Sequence, residues 1–519
     1  MEQQRQKIRA HAHIDEGRIL AELLDRFEVS LPLRQQMHER AVDLVKRIRE
    51  DSDPTMMELF LGEYGLSTDE GVALMCLAEA LLRVPDGDTM DELIDDKITP
   101  SEWGAHLGQS HSSLINASTW ALFITGKVLD EEHDSKVGSV LAAAVKRLGE
   151  PIIRQAVARV MKELGDQFVL GETITSAMKR AEAMQKSGFT HSYDMLGEAA
   201  LTQADADRYY DAYMASIADI AAANKKKNIQ DASSISIKLS ALHPRYEVAN
   251  VERVIAELGP KVLAIAEHAK SLNVAVTIDA EEADRLEISL RIFESVYQQL
   301  NDYQGFGLVV QAYQKRALKV LEWLAELSKE HGRLIPVRLV KGAYWDTEVK
   351  RAQEEGLSHY PVFTRKVNTD VSYIACGRFL LDNRNLFYPQ FATHNANTVA
   401  AIATLAGDQG GYEFQRLHGM GQALHKHTVA KDGLNRPCRI YAPVGSHEDL
   451  LPYLVRRLLE NGANTSFVNR LTDLDLGIDD ITQDPIDKVR KHDSHKHPKL
   501  PLPIEIFGEG RVNSRGVNL

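Results

Sequence analysis

The sequence predicts an α/β fold: a (βα)8 TIM-like barrel with a helical N-terminal region. Two observations predict it. The pattern is helical up to about residue 188, and from about residue 190 eight short β-rich runs alternate with longer helical stretches. Parallel neighbouring strands need crossover connections, so eight such units are expected to close into a barrel. A doubly wound open sheet is the alternative.

The N-terminal region carries apolar residues at three- and four-residue spacing, as in MHERAVDLVKRIRED and GVALMCLAEALLRV. This spacing predicts amphipathic helices. The acidic link DGDTMDELIDD separates two helical blocks. We therefore expect a helical arm over residues 1–85, a helical region leading into the barrel over 86–188, the βα barrel itself over 189–475 and a C-terminal linker over 476–519.

Most of the eight β-rich runs begin with apolar residues and end in polar or ionisable ones. In a βα barrel, reactive groups gather at the C-terminal rim, where the chain leaves the packed interior. We therefore interpret these terminal residues as candidates for function. The runs are HSYDML, SISIKLSAL, NVAVTIDAEE, GLVVQAY, IPVRLVKGAYW, PQFATHN, EFQRLHGM and CRIYAPVG. The residues at their ends are Asp194, Lys238, Asp279, Gln311, Lys341, His394, His418 and Tyr441.

The bulk composition restricts the function classes. The 519 residues carry a formal net charge of -13 and a pI near 5.8, which argues against broad electrostatic binding to nucleic acid. Three widely spaced cysteines without a CxxC pair suit a reducing compartment. No run approaches the roughly 20 apolar residues of a transmembrane helix, and the N-terminus lacks the apolar core of a secretory signal. We expect a cytoplasmic protein with at most peripheral membrane contact.

Two lysines at the rim leave several roles open. Lys238 and Lys341 each follow an apolar run and suit a Schiff-base nucleophile, a carboxylate clamp, a phosphate ligand or a solvated rim lysine. In KGAYW, Gly342 lets a ligand approach the backbone closely, while Tyr344 and Trp345 offer flat surfaces for stacking. These features suit a planar cofactor.

Other cofactor motifs have little support. The sequence contains neither a complete GxGxxG nor a GxxxxGK[ST], so a Rossmann nucleotide site and a P-loop are not predicted. The strings THN and QRLHGMG carry histidine without a second ligand at local spacing, and the histidines of KHDSHKHPKL lie in a polar tail. We therefore expect no metal site.

The string YLVRRLLENG places two adjacent arginines in an otherwise apolar segment. On a helix, Tyr453, Arg456, Arg457 and Glu460 share one face, and leucines and a valine fill the opposite arc. Two interpretations remain open from the pattern alone. The polar stripe is either a solvated face with an Arg–Glu pair or an anion site.

Ten ordered strings together resemble the proline dehydrogenase domain of the bifunctional flavoprotein family proline utilization A. The resemblance runs from about Phe168 to Asn469. It implies an FAD enzyme on a βα barrel that oxidises L-proline to pyrroline-5-carboxylate, the first step of proline catabolism to glutamate, and passes electrons to a membrane quinone. The strings are SYDMLGEAAL, SIKLSALHPRY, IDAEEADRLEISL, VVQAYQKR, RLVKGAYWD, YPVFTRK, FATHNA, FQRLHGMG, NRPCRIYAPVG and YLVRRLLENGANTSFVN.

The resemblance also implies residue roles. Lys238, Arg456 and Arg457 would bind the substrate carboxylate. Asp279 would support the catalytic site, and Glu198 would act as a gate by pairing with the first arginine. The walls around the proline ring would be Tyr344, Leu417, Tyr441 and Tyr453. The FAD-binding positions would be Gln311, Arg338, Lys341, Gly342, Ala343, Trp345, Thr364, Lys366, Thr393, His394, Asn395, Gln415, Glu460 and Phe467, so that Lys341 is a flavin ligand rather than a Schiff base.

Two departures from the family pattern lead to further expectations. The N-terminus has no basic β-strand pattern of a ribbon-helix-helix segment, so we expect no DNA binding. The final string PLPIEIFGEGRVNSRGVNL resembles the start of the family's aldehyde dehydrogenase region, so we expect an isolated proline dehydrogenase portion without a second activity. Similarity also leads us to expect a homodimer and peripheral association with the inner membrane.

Two alternatives to this function stay open. One is a flavin-free barrel lyase that uses Lys238 or Lys341 as a Schiff base. The other is a regulatory or scaffold module without turnover.

Overall fold

Eight parallel strands form a closed barrel in sequential order, β1 to β8, in the computed structural model of the chain. The structure describes residues 1–51, 168–445, 470–471, 476–508 and 510–514. The barrel confirms the predicted fold class, and β8 pairs with β1 to close it. The strands are Phe189–Met195 (β1), Ser234–Ile237 (β2), Val276–Ile278 (β3), Phe306–Gln311 (β4), Ile335–Val340 (β5), Phe387–Ala392 (β6), Glu413–Leu417 (β7) and Cys438–Val444 (β8).

Helices precede and connect the strands, as the alternating sequence pattern predicts. The N-terminal helices are Glu2–Ala10 (α1), Glu16–Arg26 (α2) and Leu31–Asp51 (α3), and Ile174–Lys186 (α4) precedes β1. Between the strands lie Gln203–Ala223 (α5), Leu239–Leu242 (α6), Val251–Ser271 (α7), Leu286–Gln299 (α8), Ala317–His331 (α9), Trp345–Glu354 (α10), Lys366–Asp382 (α11), Ala396–Ala406 (α12) and Gln422–Val429 (α13). After β8 come Ile478–Ile481 (α14) and Pro485–Arg490 (α15).

Short 3-10 turns lie at Ile229–Asp231, Val248–Asn250, Ala283–Arg285 and Pro503–Glu505.

Capping side chains and a glycine account for several helix ends. Thr202 and Asp205 form a reciprocal capping box at the start of α5, and Asn395 caps α12 through its side-chain oxygen. Gly332 ends α9 in the left-handed conformation.

The β-rich runs of the sequence extend beyond the strands themselves. SISIKLSAL contains β2 up to Ile237 and then the short helix α6, while IPVRLVKGAYW contains β5 up to Val340, a loop and the start of α10. The strands end where the parallel pairing with their neighbours ends. The polar residues of these runs therefore lie at or just beyond the carboxyl ends of the strands.

The barrel interior contains polar side chains that bond to one another across the barrel. Arg338 on β5 bonds to Ser192 on β1 and to Ser236 on β2, although β5 is adjacent to neither strand. Such contacts are made only through the interior of the barrel, since side chains alternate between the two faces of a strand. Apolar strand residues such as Ile235 and Val337 are fully buried, and the helices cover the outside.

The N-terminal arm packs on the outer helices of the barrel. Helix α1 lies against α9, and α2 lies against α11. The apolar residues of the arm are buried, as the helical spacing predicts: Ile8, Ile19, Leu20 and Leu23. Helix α15 near the C-terminus also packs on α11.

The chain divides into two compact units. The first comprises residues 1–46, 174–444 and 482–519, and it contains the barrel and the arm helices α1 and α2. The second comprises 47–173 and 445–481, most of which lies outside the described residues. The predicted linear boundaries at 85, 188 and 475 stay predictions.

Two features are absent from the described ranges. No helix there combines the length and the apolar character needed to cross a membrane. No group of three or more His, Cys, Asp or Glu side chains there is placed to hold a metal ion.

Candidate active site

Six strands bring ionisable and amide side chains to the mouth of the barrel. All of them are buried except Tyr441, which is half-buried. Lys238 and Asp279 directly follow their strands, and Asp194 is the residue before the last of β1. The other three lie in the middle of their strands, so the predicted position of Tyr441 at a strand end was wrong. Because parallel strands all point the same way, their ends meet at one rim. The residues are Asp194 (β1), Lys238 (after β2), Asp279 (after β3), Arg338 (β5), Gln415 (β7) and Tyr441 (β8).

Lys238 lies between two carboxylates. Its Nζ donates to Asp194 Oδ1 at 2.6 Å and lies 3.5 Å from Asp279 Oδ2. The same Nζ donates to the hydroxyl oxygen of Tyr441 at 3.3 Å. The backbone N–H of Lys238 donates to the hydroxyl oxygen of Tyr213 at 3.1 Å, which fixes the start of the loop after β2.

Arg338 is held by partners on several strands. Its Nη1 donates to Asp279 Oδ1 at 2.8 Å, and its Nε donates to Gln415 Oε1 at 2.6 Å. The hydroxyl of Tyr441 donates to the other oxygen of Asp279 at 2.6 Å, and Arg338 Cζ lies 5.1 Å from the centre of the Tyr441 ring. Asp279 thus holds both Arg338 and Tyr441 in place.

The charges of this cluster determine its protonation states. Burial lowers the pKa of Lys238, but Asp194 and Asp279 outweigh burial and hold that pKa well above its ordinary value. Burial raises the pKa of Asp194, and Lys238 opposes that change. Burial and the neighbouring carboxylates of Asp194 and Asp279 raise the pKa of Tyr441, which stays a hydrogen-bond donor. Lys238 is therefore a fixed cation.

The loop after β5 carries predicted cofactor residues. Lys341 pairs with Asp370 on α11, and Gly342 and Ala343 are exposed. Gly342 has φ +139°, a conformation that favours glycine. Trp345 is 38% exposed, and its Nε1 donates to the carbonyl oxygen of Phe363 at 2.8 Å.

The residues after β6 and β7 form a second group. Thr393 Oγ1 accepts from the backbone N–H of Asn395 at 3.2 Å, and Asn395 caps α12. His394 Nε2 accepts from the backbone N–H of Leu417 at 3.0 Å. An acceptor Nε2 places the proton of the neutral imidazole on Nδ1. His418 is buried, and burial lowers its pKa to about 3, so it is neutral.

Three predicted residues lie at the edges of this arrangement. Gln311 ends β4, and its Nε2 donates to the carbonyl oxygen of Glu281 at 2.9 Å. Glu198 and Tyr344 are half-buried in the loops after β1 and β5. The negative charge of Glu198 contributes to the raised pKa of Lys238, which places this carboxylate near the cluster.

Thr364 and Lys366 lie at the start of α11. Lys366 is the exposed first residue of that helix. Thr364 is buried, and its hydroxyl donates to Glu16 Oε2 at 2.7 Å. The remaining predicted site residues lie outside the described residues, and their roles stay predictions: Tyr453, Arg456, Arg457, Glu460 and Phe467.

Several site residues were missed by the sequence reasoning or had no role assigned. Asp194 ends a β-rich run but received no role, although it forms the shortest contact to Lys238. Ser192 and Ser236 bond to Arg338, and Asp370 bonds to Lys341. The two serines lie at inward positions of short buried strands, where apolar residues are expected. Polar residues at these positions could have indicated a polar partner inside the barrel.

The donor set at the mouth fits FAD. Phosphate and flavin oxygens accept hydrogen bonds and attract cations. The cations available are Arg338 at the mouth, Lys341 in the loop after β5 and Lys366 at the start of α11. The partly exposed indole of Trp345 offers a stacking surface. Gln311 and Gln415 add amide groups. These residues would hold the cofactor.

Comparisons with known proteins match most of the chain. A family model described as proline dehydrogenase matches residues 177–470, and one described as the proline utilization A proline dehydrogenase N-terminal domain matches 3–49. Bifunctional protein PutA of Salmonella typhimurium is 50% identical over 515 residues, which cover 96% of this chain and 39% of that protein. The chain therefore spans less than half the length of this curated relative.

Two further similarities cover different extents of the chain. Proline dehydrogenase 1 of Bacillus subtilis is 29% identical over 306 residues, which cover 58% of this chain and 88% of that protein. A crystal structure of a proline utilization A variant from Bradyrhizobium japonicum has a TM-score of 0.76 at 45% identity, covering 98% of this chain and 51% of that chain.

One match disagrees with an expectation from the sequence. A family model described as the DNA-binding domain of proline dehydrogenase matches residues 56–168, nearly all of which lie outside the described residues. The expected lack of DNA binding is therefore not retained. The net charge on which it partly depended describes the whole chain and not a local surface.

Proposed function

The chain belongs to the proline dehydrogenase family, and from this premise we propose that it oxidises L-proline to pyrroline-5-carboxylate with FAD as its cofactor. The observation that carries the proposal is the hydrogen-bonded cluster of Lys238, Asp279, Arg338 and Tyr441 at the barrel mouth. This cluster supplies a fixed cation for an anionic substrate and donors for a flavin in one place.

The substrate carboxylate is assigned to three cations. Lys238 is supported by its position in the cluster, where its charge is already balanced by Asp194 and Asp279. A further carboxylate therefore requires further positive charge. We assign it to Arg456 and Arg457, whose forked guanidinium groups suit a carboxylate, and this assignment rests on the sequence resemblance alone.

The proline ring is assigned to a partly aromatic wall. Tyr441 is supported by its fixed orientation, since Asp279 accepts from its hydroxyl and Arg338 lies over its ring. Leu417 ends β7 at the same rim, and its backbone N–H is tied to His394. Tyr344 and Tyr453 complete the proposed wall.

Some residues assigned to FAD are supported by their positions in the structure, and the others rest on the sequence resemblance. When bound, FAD would supply the acceptor for the hydride that leaves the proline carbon next to the ring nitrogen, and the nitrogen would release its proton as the C=N bond forms. Arg338, Gln415 and Lys341 are supported by their places at the mouth. The other residues assigned to FAD are Gln311, Gly342, Ala343, Trp345, Thr364, Lys366, Thr393, His394, Asn395, Glu460 and Phe467.

The acceptor of the electrons and the cellular setting are also part of the proposal. From the family resemblance we assign a membrane quinone as acceptor, a cytoplasmic location with peripheral contact at the inner membrane, and a homodimer. These assignments predict that a soluble quinone restores the oxidised flavin spectrum after reduction by proline.

The main proposal is tested by the flavin spectrum of the purified protein. We expect a yellow protein, or one that becomes yellow with added FAD, whose absorbance is bleached by L-proline without oxygen. Lys238→Met should keep the flavin spectrum and slow the bleaching, because one of the three cations assigned to the substrate carboxylate is removed. A protein that binds no FAD, or whose FAD proline never reduces, refutes the proposal. Borohydride trapping of a carbonyl substrate on colourless protein would favour the lyase instead.

The gate role of Glu198 has its own test. Its negative charge contributes to the raised pKa of Lys238, and this proximity to the proposed substrate cation supports a role in admitting the substrate. Glu198→Ala should change the KM for proline several-fold and leave the FAD content unchanged, because a gate affects entry and not the cofactor. Unchanged steady-state kinetics would contradict the gate.

A further inference from the structure

The start of helix α11 gathers three of the proposed cofactor residues. Thr364 precedes the helix and Lys366 is its first residue. Lys341 reaches the same helix by donating to Asp370, one turn further along. The conformation of this helix start therefore determines where all three side chains lie.

Glu16 of the N-terminal arm holds this helix start. Its carboxylate is 3% exposed and accepts three hydrogen bonds. The backbone N–H of Thr364 donates at 2.9 Å, the Thr364 hydroxyl at 2.7 Å and Asn368 Nδ2 at 2.6 Å. Thr364 and Glu16 are 348 positions apart in the sequence, so this contact is made by tertiary packing.

The C-terminal segment bonds to the same helix start. The backbone N–H of His497 donates to Thr364 Oγ1 at 2.9 Å, and Asn368 Nδ2 donates to the carbonyl oxygen of His495 at 2.8 Å. Arg365 Nε donates to the carbonyl oxygen of Lys496 at 3.0 Å. The Thr364 hydroxyl thus both donates and accepts within the protein.

Lys315 joins the arm to the loop before α11. Its Nζ donates to the carbonyl oxygen of Ile14 at 2.5 Å, and its backbone N–H donates to the carbonyl oxygen of Pro361 at 3.2 Å. Two successive points of the arm, residues 14 and 16, are therefore attached to the segment that leads into α11. A buried carboxylate near a helix N-terminus is favourable because the N–H groups and the helix dipole both attract negative charge.

We propose that Glu16 is a positioning residue for FAD: acting through Thr364 and Asn368, it fixes the start of α11 so that this segment is ready to bind the cofactor. The inference rests on the proposed function, since it requires that the protein binds FAD. The N-terminal arm then contributes to the cofactor site without touching the cofactor. Pre-ordering the segment removes an ordering cost from FAD binding.

The test compares two variants of Glu16 with a matched control on the same helix. Glu22 Oε1 pairs with Lys319 Nζ at 2.7 Å, a second attachment of the arm that joins α2 to α9 instead of α11. Glu16→Ala should raise the Kd for FAD about tenfold or more, because charge-assisted hydrogen bonds are lost. Glu16→Gln should give a smaller rise, since its amide oxygen still accepts. Glu22→Gln should stay within about twofold of the wild type.

A second measurement separates positioning from general stability. Hydrogen exchange of the FAD-free protein should become faster over residues 361–370 in both Glu16 variants and stay unchanged in Glu22→Gln. A purely structural role would lower the thermal midpoint but leave the Kd of the folded protein for FAD unchanged. That result overturns the inference, as does tighter FAD binding by Glu16→Ala, which would mean that the carboxylate competes with the cofactor.

The outcome also distinguishes this inference from the proposed function. A wild-type protein that binds FAD and is reduced by proline, together with Glu16 variants of unchanged Kd, overturns the inference alone. A wild-type protein that binds no FAD overturns both.

Discussion

Arg338 is oriented by a series of hydrogen bonds that runs through Gln415 to Glu413 and Arg439. Gln415 accepts from Arg338 Nε and donates from its own Nε2 to Glu413 Oε1 at 2.7 Å. Arg439 donates to both oxygens of Glu413, at 2.7 and 3.0 Å. Since Glu413 only accepts, it forces the Gln415 amide to turn its oxygen toward Arg338. Glu413 thus acts on Arg338 through a neighbour.

This series of hydrogen bonds predicts that Glu413→Gln weakens the orientation of Arg338. The Gln415 amide loses its fixed direction, so Arg338 should lose its Nε partner part of the time. On the proposed function, kcat/KM for proline should fall about tenfold. Tyr388→Phe is the control, because the Tyr388 hydroxyl donates to the other carboxylate oxygen of Glu413 at 3.2 Å. Equal losses in the two variants would contradict the orientation role.

Glu348 shows how burial changes the pKa of a carboxyl group. It lies on α10, and its Oε1 accepts from the backbone N–H of Ala283 at 2.7 Å. Burial raises its pKa from the usual 4.5 to about 7. Between these two values the folded state binds more protons than the unfolded state. The free energy of unfolding therefore falls as the pH rises from 4.5 to 7.

The prediction is that Glu348→Gln removes this part of the pH dependence. The wild type should lose on the order of 3 kcal/mol of this contribution between pH 4.5 and 7, and the variant should not. Urea unfolding of both proteins at pH 5 and pH 8 measures the difference. Parallel pH profiles for the two proteins would show that Glu348 does not titrate in this range.

At the scale of single elements, the loop from β5 to α10 depends on one glycine. Gly342 has φ +139°, and a Cβ atom at this position would overlap the ring of Tyr313. Tyr313 belongs to a buried cluster with Val349, Leu357 and Val362 that supports the loop from below. The loop therefore has no room for a side chain at the position where the cofactor is proposed to approach.

Gly342→Ala should lower the free energy of unfolding by about 2–4 kcal/mol, because backbone strain adds to the overlap with Tyr313. Gly332→Ala is the matched control. Gly332 also has a positive φ, +59°, but a Cβ atom there meets nothing within 4 Å. It should cost only about 1 kcal/mol, and denaturant unfolding of the FAD-free proteins measures both. Similar losses in the two variants would show that the overlap is relieved by movement of Tyr313.

At the scale of the whole molecule, the arm is attached by apolar burial and by ion pairs. Leu20 is fully buried on the face of α2 that packs toward the barrel helices. Around it lie surface pairs, such as Glu22 with Lys319 and Arg26 with Glu322. Exposed ion pairs contribute little to stability, whereas a buried leucine contributes several times more.

Leu20→Ala should therefore release the arm far more than Glu22→Gln does. We expect a loss of about 2–5 kcal/mol for Leu20→Ala and less than about 1 kcal/mol for Glu22→Gln. Protease cleavage within residues 1–27, followed over time, reports release of the arm. Faster cleavage in Glu22→Gln than in Leu20→Ala would show that ion pairs dominate the attachment.

The alternation of β-rich and helical segments was sufficient to predict the barrel. It also placed Lys238 and Asp279 at the rim, because the carboxyl ends of parallel strands meet there. The same pattern put Tyr441 at a strand end, whereas it lies in the middle of β8. These are local patterns, and local patterns determine which residues form strands and where a strand ends. Identification of the family likewise depended on ordered strings of sequence.

Tertiary structure alone decided which of these residues are partners. The link between Arg338 and Ser192 crosses the closed barrel, and the link between Glu16 and Thr364 joins the arm to α11. The residues of each pair are far apart in the sequence, so a local periodic pattern cannot predict that they are partners. Each pair depends on barrel closure or on helix packing. By itself, then, the sequence determined the fold class and the residues at the rim. The hydrogen bonds and charges that orient those residues follow only from how the distant segments pack.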